Sequence, residues 1–288
     1  MKPAPFRYFA PTTTDEALAL LAEHADSAKL LAGGQSLVPV MNFRLAAPSV
    51  LIDLNRVPEL AYIRKQDDGL HVGAMTRQRA LERDANVRQA TPLLAETIPY
   101  IAHPQISNRG TIGGSLAHAD PAAELPAVAI ALNARLKLRR KGGERWVAAQ
   151  DFFVGLFTTV LQPDEMISEI HIPPMPPRSG WSFQEVSRRH GDYALAGVAA
   201  VVTLDDKEHC AAARLTLLGV SGQPVNAQAA QGLVGNAPAP DATRAVAEAV
   251  TGELEPNGDI HASADFRRHL AKVLTQRALE IAFARAKQ

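Results

Sequence analysis

Two short stretches join glycine pairs to small hydroxyl residues: Leu31-Ala32-Gly33-Gly34-Gln35-Ser36-Leu37 and Arg109-Gly110-Thr111-Ile112-Gly113-Gly114-Ser115. Glycine carries no Cβ, so successive backbone N–H groups can turn toward one point and approach an anion closely, while a neighbouring hydroxyl adds a donor. A diphosphate matches that donor set. Either pair alone reads equally well as a tight turn. Their occurrence together, with His118-Ala119-Asp120-Pro121-Ala122-Ala123-Glu124-Leu125-Pro126 after the second, points to two halves of one clamp. Gly114, and Gly143 in a distant hairpin, are expected to need positive φ.

Other chemistries find little support. His118 and Asp120 form an H-x-D pair, but two ligands at that spacing with no further His or Cys nearby make a weak metal signal, and no metal ligands are expected. Neither glycine stretch is a G-x-G-x-x-G dinucleotide fingerprint, and no G-x-S-x-G nucleophile elbow occurs. The 288 residues, 47% of them hydrophobic, can bury sizeable cores. Thirty basic residues balance thirty acidic ones, so no overall field draws the chain to nucleic acid or an anionic membrane. The basic run Lys137, Arg139, Arg140, Lys141 and Arg145 lacks interleaved aromatics and reads as a solvated hairpin face. Cys210 is the only cysteine, whereas an iron–sulfur cluster needs about four, so any such cluster must belong to another chain. No apolar run approaches the ~20 residues of a membrane span. The first residues lack the apolar core of a secretory leader, which makes a cytoplasmic location the expectation.

The elements that must hold these loops follow from capping and periodicity. Thr13-Thr14-Asp15-Glu16 is a capping box, opening a helix with Leu18, Leu21, Ala22 and Ala25 at helical spacing. A strand over 29–32 leads into the first glycine pair, a helix over 36–43 leaves it, and a strand over 50–54 follows. Residues 62–65 and 70–74 form a hairpin about Gln66-Asp67-Asp68-Gly69, and 135–140 with 145–148 a second. Helices are expected at 76–84, 93–101 and 122–132, the last beginning past the second glycine loop. Pro173-Pro174-Met175-Pro176-Pro177 is an extended connector. Beyond it lie three antiparallel strands, 181–187, 195–204 and 213–220, and helices at 227–233, 241–253 and 263–286. The fold expected is α+β in three units: 1–57 and 58–175 as a two-part binding domain, and 178–288 as an α+β domain with a three-stranded antiparallel sheet and helices.

The A-G-G-x-S and T-I-G-G-S stretches, the Asp120-Pro121 and Glu124-Leu125-Pro126 beyond them, Asp164-Glu165-Met166-Ile167-Ser168-Glu169-Ile170-His171-Ile172-Pro173 and Phe183-Gln184-Glu185-Val186-Ser187-Arg188-Arg189-His190-Gly191-Asp192-Tyr193-Ala194 together resemble one family. It is the FAD-binding medium subunit of the molybdenum hydroxylases, which include xanthine, carbon monoxide, nicotine and quinoline dehydrogenases. The resemblance runs strongly from about residue 5 to about 205. It implies the two-part FAD fold of that family and non-covalent FAD. Leu31, Ala32, Gly33, Gly34, Gln35, Ser36 and Leu37, with Thr111, Ile112, Gly113, Gly114 and Ser115, would wrap the diphosphate. Glu124, where many relatives have Asp, would take the adenosine ribose. Ile101 and Ile167 would pack around the flavin, and Tyr193 would cover the isoalloxazine face. Each has a plainer reading: Glu124 as a charge at a helix start, the others as core. Gln184 stands where some xanthine-oxidising relatives carry lysine, so a fixed cation there is not expected.

The resemblance further implies an electron-transfer subunit. Molybdopterin would reside in a large partner, [2Fe-2S] clusters in a small one, and the assembly would be a dimer of heterotrimers; no residue of this chain need act as general acid or base. Two rivals stay open: a self-sufficient FAD oxidoreductase acting on its own small substrate, and a non-catalytic assembly subunit.

Overall fold

The structure, a computed structural model, describes residues 2–288. Strands β1 (Arg7–Phe9), β2 (Ala28–Leu31) and β3 (Val50–Asp53) form a parallel sheet in the order β1-β3-β2. Helix α1 (Thr14–His24) starts at Thr13, whose Oγ1 accepts from the Glu16 amide at 3.2 Å as in a capping box, while the Glu16 carboxylate reaches one residue further back, to the Thr12 amide at 2.8 Å. Its buried Ala17, Leu18 and Leu21 share a core with Val50, Ile52, Met75 and Met166. β1 gives no sequence signal because its three residues, two of them exposed, show no alternation; the Tyr8 hydroxyl fixes it by donating to Asp53 at 2.6 Å. Helix α2 (Leu37–Asn42) lies between β2 and β3, so the first glycine pair sits where a parallel strand ends and a crossover helix begins.

The second sheet is antiparallel. β4 (Ile63–Gln66) and β5 (Gly69–Gly73) make the first expected hairpin, and β6 (Arg135–Arg140) and β7 (Gly143–Ala148) the second. After a small hairpin of β8 (Phe153–Gly155) and β9 (Thr158–Thr159), β10 (Met166–Ile172) inserts between them, giving the order β4-β5-β10-β6-β7. The connection from β5 to β6 holds α3 (Gln78–Arg83), α4 (Ala85–Ala90), α5 (Pro92–Thr97), α6 (Pro104–Ser107), α7 (Ile112–His118) and α8 (Glu124–Ala131). All eight residues of α8 are buried, because the helix is wedged between α5, α7 and the third sheet. The second glycine pair is not a loop, as its sequence suggests, but part of the first turn of α7.

The third sheet follows the proline connector as a meander: β11 (Ser179–Ser187), β12 (Ala194–Leu204), β13 (Cys210–Leu218) and β14 (Val225–Asn226). It therefore has four strands rather than three; the fourth, two residues long, cannot show a period of two. Residues 228–233, expected as a helix, form a 3-10 stretch. β12 is covered on both sides, with Ala199 and Val201 joining the α5, α7 and α8 core and Ala196, Val198, Ala200 and Val202 facing α9 (Pro240–Val250) and α10 (Ala264–Ala286). Arg285 of α10 donates to Glu96 at 2.6 Å and to the Trp181 carbonyl at 2.8 Å, while the other Glu96 oxygen accepts from the Phe183 amide at 2.9 Å. The basic hairpin is paired with acids, Lys137 with Glu144 at 2.8 Å and Arg145 with Glu165 through two 2.7 Å bonds. No described helix is long and apolar enough to cross a membrane.

Candidate cofactor site

The chain turns between β2 and α2 through half-buried Leu31, Ala32, Gln35, Ser36 and Leu37 and buried Gly33, with Gly34 at φ 75°. That φ is cheap only for glycine. Among the described residues nothing accepts a hydrogen bond from the amides of residues 33, 34, 35, 36 and 37. The Gly33 carbonyl is occupied by Gln35 Nε2 at 2.9 Å and the Gly34 carbonyl by the Val38 amide at 3.1 Å, so acceptors are turned inward. Two of these five donors, Ser36 and Leu37, lie at the start of α2 where unpaired amides are ordinary, and with the three before them they make one donor-rich turn. They suit an anion with several oxygens, so the residues present fit the diphosphate of FAD.

The second glycine stretch meets the first directly. A Cβ on Gly33 would overlap the Arg109 carbonyl oxygen and lie 2.9 Å from Gly110 Cα, and one on Gly114 would lie 3.4 Å from Ala32 Cβ. Gly113 lies against Ala74, which a Cβ would approach to 2.5 Å. These glycines therefore permit close approach rather than a left-handed backbone: neither Gly114 nor Gly143 is among the residues with positive φ, contrary to the expectation. The amides here are also already engaged. Ile112 N–H donates to the Thr76 carbonyl, Gly113 N–H to the Ala74 carbonyl and Gly114 N–H to Thr111 Oγ1, at 3.1, 2.9 and 3.0 Å. What remains free is the hydroxyl hydrogen of Thr111, whose oxygen caps α7, and the half-buried Ser115 hydroxyl, which has no protein partner.

Two residues that no motif signals tie these segments together. Asn55 Nδ2 donates to the Ala32 carbonyl at 2.9 Å, and Arg77 reaches both Asn55 Oδ1 and the Arg109 carbonyl. Burial, and then the neighbouring Arg109 charge, make Arg77 less basic than usual. Asp53 is held below the ordinary carboxylate range despite its burial, because Tyr8, Asn55 and Arg109 all favour its ionised form. Nothing in their spacing marks Asn55 and Arg77.

Carboxyls gather beyond the other end of α7, about 10 Å away at 1.5 Å per residue. Glu124, the first residue of α8, is buried, and burial lifts its carboxyl to about 7, with Asp120 adding to the rise. Glu185 is lifted to about 8 by burial and by Glu124, and its Oε2 is buried without a partner. Tyr193 is 67% exposed. Partial burial, then Asp120 and Glu124, raise its phenol. A Cβ on Gly191 would press on the Ala102 carbonyl and His103 ring at 2.7–2.8 Å, so the turn bearing Tyr193 rests on the segment that begins at Ile101. The structure thus packs residues 32–33 against 109–114, the 191 turn against 102–103, and Tyr193 within reach of the charges of Asp120 and Glu124.

Ile101, Ile112 and Ile167 are buried in the main core, at the positions their plainer reading assigns. Ile167 adjoins the β10 bulge whose Ser168 carbonyl accepts from Ala74, the residue that also accepts from Gly113. Gln184 donates to the Phe183 carbonyl at 2.9 Å and to Ser182 Oγ at 3.2 Å. The His118 ring packs tilted against Phe157 at 5.1 Å and Asp120 accepts from the Ala122 amide at 2.9 Å. A cleft of about 660 Å³ between residues 65–70 and 172–181 includes none of the glycine residues 33, 34, 113 and 114.

Comparison with known proteins accords with this geometry. Residues 4–175 match the FAD binding domain in molybdopterin dehydrogenase, and residues 181–282 the CO dehydrogenase flavoprotein C-terminal domain. The chain is 44% identical over its full length to the 6-hydroxypseudooxynicotine dehydrogenase complex subunit alpha of Paenarthrobacter nicotinovorans, covering 97% of that protein. It is 40% identical to caffeine dehydrogenase subunit beta of Pseudomonas sp. strain CBB1, with 97% of this chain and 95% of the relative covered. Among solved structures, carbon monoxide dehydrogenase from Hydrogenophaga pseudoflava, in a form lacking the Mo-pyranopterin moiety, superposes with a TM-score of 0.96 at 40% identity over 99% of each chain.

Proposed function

Since the chain belongs to the FAD-binding medium subunits of the molybdenum hydroxylases, an oxidoreductase family, we propose that it is the electron outlet of such a complex. In this reading an organic substrate is oxidised at molybdopterin in a large partner, electrons cross [2Fe-2S] clusters in a small partner, and they leave through this subunit to an external acceptor. The three chains form a dimer of heterotrimers in the cytoplasm. The lone, buried Cys210 supports the division of labour, because this chain cannot ligate a cluster by itself. FAD supplies the capacity to take electrons singly and give them up in pairs.

The protein's own part is to hold, orient and shield. The amides of Gly33, Gly34, Gln35, Ser36 and Leu37 donate to the diphosphate, with the hydroxyls of Ser36, Thr111 and Ser115 beside them. Glu124 offers two carboxyl oxygens to the vicinal hydroxyls of the ribose. The exposed Tyr193 ring shields the isoalloxazine, with Ile101 and Ile167 as apolar support. Units 1–57 and 58–175 thereby form the cofactor cradle, and 178–288 supplies its cover. The five unpaired amides carry the reading.

Flavin and metal analysis of the purified complex and of this chain tests it. One FAD per chain, released by acid precipitation and unaccompanied by iron in the isolated subunit, is the expected result. Reduction of that FAD by the organic substrate should require both partners. Substrate turnover by this chain alone would replace the reading with a self-sufficient oxidoreductase, and flavin-free complex would leave only an assembly role.

A further inference from the structure

The outer face of the second sheet holds a histidine–carboxylate cluster that the cofactor site does not use. His71 of β5 and His171 of β10 are directly opposite in the antiparallel register, so both imidazoles emerge on one face, with centroids 4.7 Å apart. The β4–β5 turn folds Asp68 over them. Gly69 makes this possible: at φ 138° it sits where a Cβ would strike the Ile172 carbonyl and come within 3.1 Å of His171 Nε2. Asp68 Oδ1 is 3.0 Å from His71 Nε2, and Asp68 Oδ2 is 3.7 Å from His171 Nε2. The three ligand atoms lie within 4.8 Å of one another.

The surroundings of His71 give the cluster direction. Its Nδ1 is 3.0 Å from Glu169 Oε1, and the other oxygen of Glu169 accepts from the Tyr62 hydroxyl. A carboxylate behind a histidine, itself fixed by a further hydrogen bond, keeps the proton on Nδ1 and turns the Nε2 lone pair outward. His71 Nε2 faces Asp68 Oδ1 at 3.0 Å and His171 Nε2 faces the Asp68 carbonyl oxygen at 2.9 Å, so in the metal-free chain protons on these nitrogens bridge to Asp68, and a bound cation takes their place. Arg64 lies over the Tyr62 ring and Lys137 is paired with Glu144, so neither nearby base fills that place.

We propose that Asp68, His71 and His171 form a binding site for a borderline divalent transition cation of the Zn²⁺ class, with water completing the coordination. Two imidazole nitrogens and a carboxylate oxygen are a donor set such ions accept in tetrahedral geometry, and one that disfavours Mg²⁺ and Ca²⁺, which seek oxygen. The +2 charge offsets Asp68 and Glu169. The bound ion pins the β4–β5 turn to the central strand of its sheet.

The test uses the untagged, chelator-treated complex and Zn²⁺ itself, with Co²⁺ as a spectroscopic probe. One Zn²⁺ per chain more than in the His171→Ala and Asp68→Asn complexes is expected, together with a visible Co²⁺ band in the parent alone. Glu169→Gln should bind about tenfold more weakly, as loss of a supporting carboxylate does. Unchanged flavin absorption and melting temperature without metal certify that the variants are folded. Equal Zn²⁺ in parent and His171→Ala complexes overturns the proposal, as does a Co²⁺ spectrum no different from that of the free aquo ion.

Discussion

Gly33→Ala isolates the contact between the two glycine stretches. The new methyl group overlaps the Arg109 carbonyl and stands 2.9 Å from Gly110 Cα, both of them backbone atoms that cannot rotate aside. Restoring an ordinary carbon contact of about 3.5 Å moves the segments apart by about 0.6 Å. Overpacking of this kind costs about 1–3 kcal/mol. Where the free protein relieves it by opening the loops, the cost reappears on closure around the cofactor. At about 1.4 kcal/mol per tenfold, FAD then binds about 5- to 150-fold more weakly. Gly143→Ala is the control, since its Cβ meets nothing nearer than 3.7 Å. Fluorescence titration of deflavo-protein with FAD measures the affinity, and thermal unfolding without FAD measures any strain left in the free fold. Gly33→Ala matching Gly143→Ala in both measurements refutes the reasoning, because the close approach would then be dispensable.

Three further outcomes are expected. Arg77→Lys, which cannot span Asn55 and the Arg109 carbonyl together, should weaken FAD binding by about tenfold through loss of a charged hydrogen bond, and an unchanged affinity in the same titration would show that the brace is idle. Tyr193→Ala should alter the flavin absorption envelope and the reactivity with oxygen while substrate still reduces the iron–sulfur clusters at the parental rate; stopped-flow spectra separate the two, and slowed cluster reduction with an unaltered flavin spectrum would place Tyr193 in a subunit contact. Glu185, raised to about 8, keeps a proton that the unfolded chain loses above its ordinary value of 4.5. Stability therefore falls as pH rises through that window, by about 1.4 kcal/mol per pH unit for this group, and Glu185→Gln should lessen the fall in melting temperature between pH 5 and 8, leaving the share due to Glu124, whereas parallel profiles in parent and variant would contradict the assignment.

Local signals in the chain are legible in its sequence, and long-range ones are not. The Thr13 helix cap, both hairpins of the second sheet and the first glycine pair each depend on residues within a few positions, and each element is where its pattern puts it. β10 escaped as a strand because a bulge at Ser168 breaks its alternation, and only the tertiary fold reveals that it unites the two hairpins. The second glycine pair misled for a different reason. A pair of glycines suggests a turn, but Thr111 caps a helix there and the glycines serve to let Ala74 and Ala32 come close. Asn55, Arg77 and Glu185 carry no spacing signal, since their partners lie 22 or more residues away or are met only through packing. The histidine cluster was equally hidden, with His71 and His171 one hundred positions apart and adjacent only by sheet register.

The two glycine stretches, alike in sequence, do different work. Residues 33–37 leave their amides unpaired, whereas the amides of Ile112, Gly113 and Gly114 are spent on Thr76, Ala74 and Thr111. The amides open to a ligand are therefore concentrated on the first stretch, and the second acts as the wall against which they are aligned. Alignment of five flexible amides is entropically costly unless something rigid sets it. The rigid parts are β2, which delivers the loop, and α7, whose Gly113 and Ile112 amides are anchored on the Ala74 and Thr76 carbonyls just after β5. Asn55 and Arg77 join these across the gap. Their arrangement also leaves Arg77 and Arg109 close together against Asp53, whose oxygens already serve Tyr8 and Asn55. Two guanidiniums sharing one engaged carboxylate leave positive charge beside the open amides, which favours the doubly charged diphosphate of the proposed cradle.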